Sequence, residues 1–107
     1  MTITYINEQF RKRFGTLGEI YTPQFALSQY DAIEVYAVTA EDGICEVTLD
    51  RKDADLWSVY FHLRSGGVEC VADFPAEHLE LAYNYANHVS SYTGWPIYGY
   101  TKEVANG

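Results

Sequence analysis

Several ingredients that would decide the class of this chain are scarce or missing. It has two cysteines, Cys45 and Cys70, among 107 residues. That is too few for a disulfide-built scaffold, and they lie too far apart for a CxxC metal or redox motif. Both read as small core residues; a disulfide between adjacent strands would need an oxidising compartment that nothing in the composition indicates. No apolar run approaches the roughly 18–20 residues of a membrane-spanning helix. The opening MTITYINEQFRKRF places its basic cluster after a mixed segment and has no apolar stretch, so it does not read as a secretory signal. The expected compartment is the cytoplasm. Basic residues are few: 7 Lys and Arg stand against 15 Asp and Glu, for a net charge of −8. Such a chain repels phosphates, so direct binding to nucleic acid or to an anionic membrane is not expected.

Catalytic signatures are missing as well. The sequence holds no GxxxxGK[ST] and no GxGxxG, and Ser58, Ser65 and Ser90 have no GxSxG context. Glu77-His78-Leu79-Glu80 lacks the second histidine of HExxH. Asp53-Ala54-Asp55 runs straight into Leu56-Trp57, which breaks the spacing of a calcium loop. His78 and His88 fall roughly three turns apart on one predicted helix and cannot share a metal. The expectation is therefore no enzyme, no metal and no cofactor. The one centre for a small enzyme or metal protein is His62, with Glu46 or Glu69 as neighbours on a sheet face.

What is present is ample core material, 48% hydrophobic and 16% aromatic, at a length that predicts a single domain over 1–107. Ile3, Ile6, Phe10, Phe14 and Leu17 recur at helical spacing. A helix is predicted over about 6–14, with Asn7 as its cap and Gly15 as its stop, although Thr2 to Ile6 is β-branched and could form a strand. Thr22-Pro23 reads as a cap and first helical position for a short helix over 23–30. The centre alternates with period two. Strands are predicted at about 33–39, 44–49, 56–64 and 68–73, with hairpin turns at Asp42-Gly43 and Gly66-Gly67. Short connections require largely antiparallel pairing. A long helix follows at about 75–92, with Pro75 in its first turn and Gly94 as its stop. The class is α+β: a four-stranded antiparallel sheet with this helix on one face and a short N-terminal helical segment. Leu79, Ala82, Tyr83, Ala86 and Val89 form its sheet-facing stripe. A second stripe, Leu81, Tyr85, His88 and Tyr92, needs a cover: the N-terminal segment, the tail from Trp95 to Tyr100, or another molecule.

The charge is concentrated. Residues 31–80 carry twelve carboxylates against Arg51, Lys52 and Arg64, while both ends of the chain are nearly balanced. Ten tyrosines, several beside carboxylates, add a residue type enriched at interfaces. Residues two apart on a strand lie about 6.6–6.8 Å apart on one face, so carboxylates on neighbouring strands could form a regular negative grid like a phosphate backbone. The face expected to do this carries Glu34, Tyr36, Glu46, Tyr60, His62 and Glu69. These features lead to a non-enzymatic acidic protein that blocks a basic, nucleic-acid-binding surface of a protein partner, a form of DNA mimicry. The candidate contacts are Glu34, Tyr36, Glu41, Asp42, Glu46, Asp50, Asp53, Asp55, Glu69 and Asp73. In type, this acidic, tyrosine-rich profile is similar to the small phage and plasmid proteins that block host nucleic-acid-handling machines, such as anti-restriction and anti-CRISPR inhibitors. The alternative is a homodimeric interaction module, paired through Leu81, Tyr85, His88 and Tyr92 or through an open sheet edge.

Overall fold

The computed structural model describes residues 2–41, 44–48 and 54–99; of Ala40, Glu41, Ile44, Cys45 and Glu46 it describes the backbone alone. The chain opens with helix α1 (Ile3–Phe14). Its cap is Thr2, whose Oγ1 accepts from the Tyr5 amide at 3.3 Å, and not Asn7. The helix starts earlier than its predicted residue 6 because Thr2 caps it there and because Ile6 and Phe10 both bury. Arg11, Lys12 and Arg13 fill the last turn, where the helix dipole favours cations. The guanidinium of Arg11 then donates to the carbonyls of Gly15, Leu17 and Gly18 at 3.1–3.3 Å, tying the chain leaving the helix back to its end.

Strand β1 (Glu19–Ile20) follows. The helix predicted over 23–30 is not formed: the segment holds only a 3-10 turn at Leu27–Gln29. Pro23 is buried, and the Gln24 amide donates to Glu69 at 2.7 Å. The segment is thus clamped by a side chain from the sheet. Strand β2 (Tyr30–Glu41) is longer than the predicted 33–39 and forms the centre of the sheet. It is followed by β3 (Ile44–Thr48), β4 (Leu56–Leu63) and β5 (Val68–Pro75). Helix α2 (Leu79–Thr93) begins four residues later than the predicted 75, because Phe74 and Pro75 still pair with Trp57 and Leu56. The Trp57 indole fixes the intervening turn by donating to the Ala76 carbonyl at 2.9 Å. Gly94 stops α2 in the left-handed conformation. A last strand, β6 (Ile97–Gly99), closes the described chain.

The strands order as β1-β5-β4-β2-β3, with β6 also pairing β2. Among the described residues the sheet therefore has two strands, β1 and β6, beyond the four expected. It is also mixed, because β6 runs parallel to β2 while the other pairs are antiparallel. Parallel pairing is available here because α2 is the long crossover that it needs. The hairpins β2–β3 and β4–β5 form as the turn signals imply.

Both helices lie on one side of the sheet. Ile33, Val35 and Ala37 from β2, Trp57, Val59 and Phe61 from β4, and Val71, Ala72 and Phe74 from β5 form one core with Ala82, Tyr85, Ala86 and Val89 of α2 and Ile6 and Phe10 of α1. The cover of the second α2 stripe is α1. Phe10 meets Tyr85 edge-on at 5.1 Å, the Tyr85 hydroxyl donates to Asn7 at 2.7 Å, His88 Nε2 lies 2.8 Å from the Ile6 carbonyl, and Tyr5 packs on Tyr92. Of the stripe considered for self-association, Tyr85, His88 and Tyr92 thus lie at the seam between the two helices of one chain, and Leu81 is partly buried against the core. No described helix is long and apolar enough to cross a membrane.

Candidate functional site

The face opposite the helices is where chemistry-bearing side chains gather. Register places Glu34 beside Tyr60 on one side and Tyr98 on the other, and pairs Tyr36 with Ser58 and Ala32 with His62. Each of these side chains alternates with a core residue, so period two puts them together.

Glu34 is the unusual member. It is only 6% exposed, and carboxylates are rarely so buried. Its Oε1 accepts the Tyr36 hydroxyl, and the Tyr36 ring meets that of Tyr60 edge-on at 5.2 Å. Beside it, His62 Nδ1 lies 2.7 Å from Asp31 Oδ1. Where the carboxylate accepts, the proton of this bond sits on Nδ1; the other ring nitrogen then accepts in the neutral imidazole and donates in the imidazolium. Asp31 reaches His62 because an irregularity in β2 between Tyr30 and Ala32 leaves it as an extra residue. Asp31, Glu34, His62 and Tyr98 line a depression of about 370 Å³.

A second cluster stands further along the same face. Asp73 accepts from Ser58 Oγ and, through its other oxygen, from the Tyr21 hydroxyl at 2.6 Å; the Cys70 thiol lies 3.6 Å away. The hydrogen bond to Asp73, with burial and the nearby negative charge added, pushes the Tyr21 phenol well above its ordinary pKa. Glu19 is paired with Asp73 in register and is exposed. Cys70 is a half-buried thiol on this face and not the core residue expected.

The structure redistributes the candidate contacts. Glu34, Tyr36 and Asp73 share the face opposite the helices. Glu69 does not: it pairs with core-facing Phe61, and its two oxygens take the Tyr30 hydroxyl at 2.8 Å and the Gln24 amide. The cause is a bulge in β5, where Val71 is inserted between Ala72 and Cys70 and reverses the alternation. Glu46 is the register partner of Thr39, out of phase with Glu34. The side chains of Glu41 and Glu46, and residues Asp42, Asp50 and Asp53, lie outside what is described. Asp55 is exposed just before β4. Asp31 and Tyr98 are functional candidates that the sequence reading missed. Tyr98 sits on a strand too short to show periodicity, and the bulge that aims Asp31 has no sequence signature.

A larger depression, about 400 Å³, lies between α1 and β1 and is lined by Thr4, Asn7, Glu8, Arg11, Lys12, Ile20 and Thr22. Its charges are mixed and its Arg11 is spent on three carbonyls, so it offers less directed chemistry than the smaller site. Among the described residues no three His, Cys, Asp or Glu side chains converge to hold a metal ion. The chain matches no protein-family model, no curated protein and no solved structure.

Proposed function

We propose that this is a non-enzymatic binding protein whose acidic, tyrosine-bearing sheet face engages a basic surface on a protein partner, a surface that otherwise holds nucleic acid. One observation carries the reading. The face opposite the helices brings Glu19, Asp31, Glu34 and Asp73 together with Tyr36, Tyr60 and Tyr98, and among the described residues neither Lys nor Arg is paired on it. Negative charge grouped on one face, with the exposed ring of Tyr98 and the half-buried rings of Tyr36 and Tyr60, steers a basic partner and gives it something to pack on.

The test is capture of partners by the tagged chain from nuclease-treated lysate, with washes at rising salt. The expected outcome is a nucleic-acid-binding protein that elutes with salt and is displaced by added DNA or RNA. It should be retained much less by the Glu19→Lys, Asp31→Lys double variant, whose two positions are exposed or half-buried. A partner held equally by the double variant, or one that nucleic acid fails to displace, would overturn the reading.

A further inference from the structure

The depression is lined by two carboxylates, Asp31 and Glu34, with the imidazole of His62 and the phenol of Tyr98. Glu34 is buried, and among the described residues its carboxylate takes a single hydrogen bond, from the neutral Tyr36 hydroxyl. An ionised carboxylate offers about four acceptor sites, so most of its capacity is unspent on the wall of this depression. Among the described residues no Lys or Arg lines this depression with it; a buried carboxylate without a cation is costly, and an entering cation recovers that cost. The carboxylate of Asp31 adds to the same wall, and the imidazole of His62 is held beside it by the 2.7 Å bond between them. Tyr98, 51% exposed and in register with Glu34, supplies an aromatic face beside the carboxylate.

The complement of such a wall is a flat cation with several N–H donors. A guanidinium has five donors in a rigid plane, pairs with carboxylates through two parallel bonds and stacks on aromatic rings; an ammonium does none of these as well. The absence of a three-residue ligand set among the described residues weighs against a metal ion as occupant. The volume, about 370 Å³, sits near the lower end for ligand pockets and suits one long side chain. We infer that this depression is a receptor for a single arginine side chain presented by the basic partner. The inference rests on the acidic-face reading and adds to it a specific anchor that discriminates arginine from lysine.

The experiment titrates the whole protein with three capped pentapeptides, each with one central residue among glycines: arginine, lysine or citrulline, the neutral isostere of arginine. Ring signals of His62 and Tyr98 are followed by NMR. The arginine peptide should shift both rings saturably and bind at least about tenfold more tightly than the citrulline peptide, with lysine between them. Glu34→Gln, which keeps the shape and removes the charge, should lower arginine affinity by about tenfold while the remaining spectrum stays folded. Tyr98→Ala, at an exposed position, is a second variant and should weaken arginine more than lysine. Equal binding of arginine and citrulline, or unchanged arginine affinity in both variants, overturns the inference. A polylysine-coated surface separates the two levels. Salt-sensitive retention without arginine preference removes the pocket alone, whereas no retention at low salt removes the acidic-face reading with it.

Discussion

Gly18 joins the end of α1 to the first strand at φ 82°, a conformation that side-chain-bearing residues avoid. A Cβ there would stand 2.5 Å from Phe74 Cδ1 and 2.7 Å from the Asp73 carbonyl oxygen. The backbone oxygen cannot swing aside, and Phe74 is a buried core ring. Gly15 has a similar φ of 90° but open space where its Cβ would go. The pair separates two costs. Gly15→Ala carries the positive-φ penalty alone, about 1–3 kcal/mol. Gly18→Ala adds the steric clash and should lose about 2–4 kcal/mol in urea unfolding. Equal losses at the two positions would show that the approach of Gly18 to β5 is loose. The same closeness matters for the acidic face, because the Asp73 backbone that Gly18 touches positions the carboxylate shared by Ser58 and Tyr21.

Among the elements, the seam between α1 and α2 concentrates aromatic packing. Phe10 stacks on Phe14 at 4.9 Å and meets Tyr85, Phe74 and His88 at 5.1, 6.1 and 5.7 Å, so it bridges both helices and the sheet. Phe10→Ala should cost about 3–5 kcal/mol, measured by denaturant unfolding, whereas Tyr5→Ala at the exposed rim should cost less than about 1 kcal/mol. A small Phe10 effect would mean that α1 is not integral to the fold. The helical period of Ile3, Ile6 and Phe10 already marked this face, and Asp42-Gly43 between alternating runs already marked the central hairpin. The register of that hairpin departs from the expected one: alternation alone puts Glu46 on the Glu34 face, whereas a two-residue connection sets it opposite Thr39. Less legible were the places where alternation slips. The inserted Val71 in β5 and the extra Asp31 in β2 each move a carboxylate to the other face, and a bulge leaves the hydrophobic pattern almost unchanged. Strand β6 was hidden for another reason: three residues cannot display a period, and its parallel pairing is decided by where α2 delivers the chain.

For the molecule as a whole, charge and layer order act together. The two helices cover one side of the sheet and leave Glu19, Asp31, Glu34 and Asp73 on the other. The basic turn Arg11-Lys12-Arg13 belongs to α1 on the helical side. Among the described residues, one face thus carries a field of four carboxylates. Such a field acts on diffusional encounter before contact and is screened within about 8–10 Å at ordinary ionic strength. Association with a basic partner should therefore slow by about tenfold or more between low salt and roughly 0.5 M salt, while dissociation changes much less. Stopped-flow or surface-binding kinetics read the two rates separately. Removing charge at the exposed Glu19 should act on the association rate. Removing it at the buried Glu34 should act on the dissociation rate, because a desolvated partner group is held there after docking. If both variants changed only the association rate, Glu34 would be part of the long-range field and not an anchor. The buried carboxylate would then contribute to the face no differently from an exposed one.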